Sequence, residues 1–129
     1  MATINRFEDL EIWKEARRLF KIINKISQET DLNTDYKLKE QIRSSAGSVM
    51  DNIAEGFERD GNVEFRQFLS IAKVSSGETR SQLYRLFDCK YISFQELKLL
   101  AKDYENLNKR IASFITYLNK KDYKGNKFK

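Results

Sequence analysis

Proline and histidine are both absent from the 129 residues, and cysteine occurs once, at Cys89. Without proline nothing forces a break in a long helix, and five glycines in the whole chain point the same way. Without histidine the chain lacks the commonest general base and the commonest metal ligand, which argues against an enzyme, a metal or any other cofactor. A single cysteine excludes an internal disulfide. Cys89 sits near the end of a helical pattern with no helix start behind it, so it is expected to be a small buried hydrophobe rather than a reactive thiol. No apolar run approaches the roughly 20 residues that span a bilayer. The opening MATINRFEDLEIW has no basic-then-apolar leader layout. Cytoplasmic residence, with no membrane partner, is the expectation.

What is present is a helix-rich composition, 40% apolar and 33% charged, enough apolar residues for one domain over 1–129 to bury a core. The net charge of +5 is unevenly placed. Residues 1–60 are slightly acidic, whereas residues 61–129 carry twice as many Lys and Arg as Asp and Glu. That imbalance suits an anionic partner such as RNA or DNA.

The chain is organised around SSAGSVMDNIAEGFERDGNVEFRQF, residues 44–68. Ile42, Ala46, Val49, Ile53 and Phe57 recur at steps of three and four, one buried helix face. Ala46, Gly47 and Gly56 leave room for a neighbouring backbone, and Asp60-Gly61-Asn62 reads as a tight turn, with Gly61 free to take positive φ and Asp60 or Asn62 capping the next helix. Around this block the periodicity predicts helices over about 9–28, 35–59, 63–89 and 94–119, with Asp31 and Asn33 as turn or capping residues before the second. Ser93 and Glu96 form a capping box ahead of the fourth, whose Leu97, Leu100, Tyr104, Leu107, Ile111, Phe114 and Leu118 alternate three and four without a slip. A basic tail, 120–129, lacks periodicity and is expected to fray. Short connectors between helices of this length predict an all-α, antiparallel up-down four-helix bundle about 30–40 Å long.

The first helix carries two apolar seams, Trp13, Ala16, Phe20, Ile23 and Ser27, and Ile12, Leu19 and Ile26 with Ile22 beside them. Together they cover half the circumference, wider than the roughly 100° stripe of a surface helix. The excess predicts self-association through Ile12, Leu19, Ile22 and Ile26, joined by Ile71 and Val74, which fall off the inward stripe of the third helix.

No constellation carries chemistry. Asp51 and Glu55 lie four apart on a face expected to be solvated. Gly61 stands alone rather than in a phosphate-cradling loop, and the serines at 44, 45, 48, 75 and 76 have no imidazole to activate them. The outer faces say more. Lys14, Arg18, Lys21 and Lys25 share one side of the first helix, Arg66, Lys73 and Arg80 repeat every seven residues on the third, and Lys98, Lys102 and Lys109 line the fourth, followed by Lys120. Such rows can track a phosphate backbone or simply keep a bundle soluble. Most aromatics read as core residues, leaving Tyr123 and Phe128 in the tail as candidates for stacking on bases. The alternative to nucleic-acid binding is a protein-interaction scaffold that uses Ile71, Val74 and the small-residue block.

Phe7-Glu8-Asp9-Leu10 with Trp13, Gln41-Ile42-Arg43, Asn52-Ile53-Ala54-Glu55-Gly56-Phe57, Glu64-Phe65 and Phe68-Leu69 together resemble the four-helix bundle proteins encoded by intervening sequences of bacterial 23S rRNA genes, over residues 7–118. The resemblance implies a left-handed bundle, a homopentamer around a central channel, and no established enzymatic activity. It also implies kinship with the basic, nucleic-acid-associated accessory proteins of diversity-generating retroelements. Arg43, Asn52, Glu55 and Gly56 match the family signature, the three polar ones as partner contacts or as hydrogen bonds within the bundle. The family's usual proline before the Asn-Ile-Ala-Glu-Gly block is replaced here by Val49-Met50-Asp51, which implies a smoother second helix.

Overall fold

A computed structural model describes residues 4–121. Four long helices dominate it: α1 (Glu11–Glu29), α2 (Tyr36–Glu58), α3 (Asn62–Asp88) and α4 (Phe94–Lys120), and no strand occurs among the described residues. The tail beyond Lys121, with Tyr123 and Phe128, lies outside the described residues. Helix α2 runs unbroken past the position where the resemblance implies proline.

Helix ends follow local chemistry, not always the chemistry expected. Phe7–Asp9 forms a separate 3-10 turn closed at Leu10, so α1 starts at Glu11. Asp31 and Asn33 lie in a 3-10 turn, Asp31–Thr34, as turn residues, and it is Asp35 that caps α2, accepting from the Leu38 N–H at 3.4 Å. Its other oxygen accepts from the Tyr91 hydroxyl at 2.9 Å, which ties the α3–α4 connection to the start of α2. Gly61, at φ 90, is the N-cap of α3 without any side-chain cap. The capping role expected of Asp60 or Asn62 is thereby corrected: the Asn62 amide reaches across to the carbonyls of Leu118 and Lys121, satisfying acceptors that the end of α4 would otherwise leave open. At the far end of α3 the Lys90 N–H donates to the Phe87 carbonyl and the Tyr91 N–H to the Leu86 carbonyl, both at 2.9 Å, with Lys90 left-handed at φ 66. Cys89 is the C-cap at this turn and is exposed, which corrects its reading as a buried hydrophobe. The Ser93–Glu96 capping box is present, with bonds of 3.1 and 2.8 Å.

Helix α2 packs on α3, α3 on α4, and α1 against both α2 and α4. Leu19, Ile23, Ile42, Ile53, Leu69, Leu83, Leu86, Leu107, Ile111 and Leu118 are fully buried between them. Ring stacking supports the ends: Phe7 meets Trp13 edge-on at 5.1 Å between centroids, and Phe65 meets Phe114 at 5.6 Å.

Two neighbours, not one, cover α1, and this corrects the expectation that its wide apolar face needs a second copy. Ile12, Leu19 and Ile26 are 4, 0 and 8% exposed within a single chain, so they are core residues rather than interface residues. Ile22 is partly buried against the same core. Ile71 and Val74 stay outside at 48 and 73% exposure.

The α2–α3 contact is built from small side chains. Along α2 the partners on α3 fall in number as α2 rises: Gln41 meets Arg85, Ser45 meets Gln82 and Thr79, Ser48 meets Ser75, and Gly56 meets Phe68 and Phe65. The Ser45 hydroxyl donates to the Gln82 amide oxygen at 2.6 Å and accepts from the Thr79 hydroxyl at 2.8 Å, and the Ser48 and Ser75 hydroxyls meet at 2.9 Å. Ser76 and Gly77 face α4 instead, near the Tyr104 carbonyl and Asn108.

Gly56 is the tightest point. A Cβ there would meet the Phe68 Cβ at 2.7 Å and the Phe65 ring at 2.8 Å. At Gly47 the nearest atom would be 3.7 Å away, on Phe20. Gly56→Ala is expected to lose about 1–2 kcal/mol, overpacking outweighing the gain in helix propensity, whereas Gly47→Ala gains up to about 1 kcal/mol. Urea midpoints of the two variants check this; equal stability of both would refute the close approach at Gly56.

Candidate nucleic-acid interface

The three basic rows do not end up equivalent, because acidic neighbours on the same and on adjacent helices claim some of their members. Arg18 is the clearest case. Its guanidinium grips both oxygens of Glu15 at 2.8 and 2.7 Å and reaches Asp103 of α4 at 2.9 Å. These bonds hold Arg18 above the usual arginine range and the Glu15 carboxyl below the usual carboxylate range, the Arg18 hydrogen bond being the larger cause for Glu15. Arg18 is therefore a clasp between α1 and α4. Lys14 is paired with Glu11 at 3.1 Å, while Lys21 and Lys25 are exposed with no ion pair among the described residues.

The rows on α3 and α4 run side by side. Arg66 donates to the Asn119 side chain, and Arg80 pairs with Glu105 at 3.3 Å, which also holds Lys102 at 3.6 Å. Lys73, between Arg66 and Arg80, is exposed and has no ion pair among the described residues. Spacing on one helical flank explains the alignment: residues 66, 73 and 80 repeat every seven, and 98, 102 and 109 by four and seven. Lys109 departs from the group, lining an apolar cavity of about 610 Å³ with Leu10, Ile12, Phe114 and Tyr117 at the α1–α4 seam.

Where the rows meet, a groove of about 800 Å³ opens between α3 and α4. Arg80, Tyr84, Phe94, Lys98, Leu99, Lys102 and Glu105 line it. Three cations thus face one carboxylate, beside two aromatic rings that the packing leaves uncovered. Tyr84 and Phe94 are 53 and 59% exposed, which corrects the assignment of the helical aromatics to the core. Their signal lay in the spacing. Tyr84 is four residues beyond Arg80, on its flank rather than on the Leu83–Leu86 stripe, and Phe94 precedes the first heptad position, Leu97.

The signature residues all lie on α2, outside this groove, and each has its own partner. Asn52 donates to the Ser48 carbonyl and hydroxyl at 2.8 and 2.9 Å, extending the α2–α3 hydroxyl seam. Glu55 pairs with Arg59 at 3.1 Å and Arg43 with Glu40 at 3.8 Å, both at the surface. Asp51 is exposed. A second, polar groove of about 680 Å³ lies along this seam, lined by Glu40, Gln41, Ser44, Ser48, Glu78 and Arg85. Ser45, Ser48, Ser75 and Ser76 hydrogen-bond to hydroxyls, amides and backbone carbonyls. No group of three or more Cys, Asp or Glu able to hold a metal occurs among the described residues, and no helix there is long and apolar enough to cross a membrane.

The depressed Glu15 pKa makes a signed prediction. Stability from the Arg18 clasp is fully present above the ordinary glutamate value and is lost as pH falls through the lower, folded one. Arg18→Met should cost about 1 kcal/mol or less near neutrality, after solvent screening. It should also flatten the loss of stability between about pH 5 and pH 3. Urea midpoints against pH read both effects; an unchanged acid profile in Arg18→Met would count against the clasp.

Comparison with known proteins agrees with this architecture. A crystal structure at 1.70 Å of a protein of unknown function from the S23 ribosomal protein family of Bacteroides thetaiotaomicron VPI-5482 superposes with a TM-score of 0.69. The two are 23% identical, and the match covers 81% of this chain and 97% of the other, a likeness of fold. No curated protein matches the chain. The family model for the 23S rRNA-intervening sequence protein matches residues 8–113, and the chain belongs to that family.

Proposed function

We propose that this protein is a non-enzymatic, self-associating helical bundle of the cytoplasm that binds RNA or DNA through its α3–α4 face. The observation that carries the reading is the groove in which Arg80, Lys98 and Lys102 stand against Glu105 alone. Lys73 and Arg66 extend the cationic edge along α3, where successive phosphates would displace condensed counterions. The reversed order of contact partners along α2 and α3 supports an antiparallel up-down course, and the family resemblance supplies the left-handed sense.

Self-association rests on a narrower footing than the sequence suggested. Ile71 and Val74, three apart on α3, form an apolar patch that the packing leaves uncovered, with Val63 exposed further along the same flank. Five copies is the number the resemblance implies. The protein-scaffold alternative keeps this patch and part of the small-residue block: Ser45 and Ala46 are buried, while Ser44 and Ser48 line the polar groove.

Affinity for a labelled polyanionic strand should fall steeply with salt, log affinity dropping by about 0.7–0.9 per phosphate for each tenfold rise in salt. Reversing charge at Arg66, Lys73 and Arg80 together should weaken it, and Glu105→Gln should strengthen it by freeing Arg80 and Lys102. Salt-independent binding, or none, would end the reading.

Assembly is tested separately by light scattering. Val74→Glu is expected to shift an oligomer to monomer with helicity intact, while Leu19→Glu should unfold the chain because that side chain is core. A wild-type monomer at every concentration would refute self-association.

A further inference from the structure

We infer that the α3–α4 groove takes unpaired bases, which stack on Phe94 and Tyr84 while Arg80, Lys98 and Lys102 hold the adjoining phosphates; the inference rests on the nucleic-acid reading above and narrows it to single strands. Phosphate binding alone needs no aromatic ring, yet this groove places two largely exposed ones among its cations. A single exposed ring would need no explanation, but Tyr84, Phe94 and Leu99 are all more than half exposed and line the same groove, a cluster that suits a partner with an apolar face.

Phe94 is held ready for one. Phe87 packs against it at 5.9 Å between centroids with the rings tilted by 59°, which fixes its attitude. The Lys98 ammonium stands over the ring at 5.6 Å. A cation over an aromatic face marks that face as accessible and electron-rich. An incoming nucleotide satisfies both groups at once, its phosphate drawing the ammonium aside and its base covering the ring. Tyr84 offers a second platform on the opposite wall, four residues beyond Arg80 on the same flank of α3. A duplex keeps its base faces stacked inside the helix and has none to present to these rings. An apolar peptide would cover the rings but leave three cations facing one carboxylate without an anionic partner, so charge complementarity favours the strand.

The test uses the full chain and a mixed-sequence oligonucleotide of about a dozen nucleotides, made as DNA and as RNA, with one internal 2-aminopurine, alone and annealed to its complement. At equal salt the single strand should bind more tightly than the duplex and its 2-aminopurine fluorescence should be quenched. Phe94→Ala and Tyr84→Ala should each weaken single-strand binding about tenfold, with the salt slope and the duplex affinity unchanged. Phe94→Trp should restore binding, and circular dichroism should show all variants equally helical. Dependence on the rings with either sugar supports the inference. Equal binding of strand and duplex, indifferent to removal of both rings, overturns it and leaves phosphate-tracking intact. Binding of neither form removes this inference and the broader reading together.

Discussion

The close approach of α2 to α3 at Gly56 is the constraint on which the remaining geometry depends. Phe65 and Phe68 lie where a side chain on residue 56 would have to be, so the end of one helix rests directly on the start of the next. From that point the hydroxyl seam of Ser48, Ser75, Ser45 and Thr79 continues the contact toward the other end. Hydroxyls at these positions serve two needs. They are small enough for close packing, and they satisfy one another where water is excluded. With one side of α3 fixed against α2 in this way, its Arg66–Arg80 flank is turned toward α4, where Asn119 and Glu105 receive it.

Charge in this fold does two different jobs. Some cations join helices: Arg18 links α1 to α4 through Asp103, and Arg80 links α3 to α4 through Glu105. Others, such as Lys21, Lys25 and Lys73, are exposed and carry no such duty among the described residues. A row of basic residues in a sequence therefore mixes structural and available charge, and the carboxylates that tie one helix to another, Asp103 and Glu105, sit on a different helix from the arginines they hold.

Burial also leaves polar groups without partners among the described residues, namely the Tyr104 hydroxyl, the Arg43 Nε, and the side-chain oxygens of Asn24 and Asn108. Tyr104 shows the consequence most plainly. Nearly enclosed on α4, it has its hydroxyl pKa pushed up by desolvation, and it remains a neutral core residue at any ordinary pH. The cost of these groups is borne by the apolar packing around them.

Helix number, the inward stripes and the cap of α4 were legible in the chain because period and capping are local: Leu97 to Leu118 repeats within one element, and Ser93 and Glu96 meet within one turn, whereas α2 and α3 start on Asp35 and Gly61 instead of the residues expected. The family was legible too, in the spacing of the Asn52–Phe57 block and the opening Phe7–Trp13 pair. What local reading could not supply was how many neighbours each face acquires. The wide apolar arc of α1 looked like an interface because the sequence does not say that both α2 and α4 cover it. Likewise Asn62 serves the end of α4, and Phe94 stands uncovered in a groove shared with Arg80 and Tyr84 of α3, both set by residues of another helix. The sequence determined the helices and their inward faces, since those follow from the order of neighbouring side chains. Only the tertiary structure decided which outward residues share a groove, since that depends on helices that meet across long stretches of intervening chain.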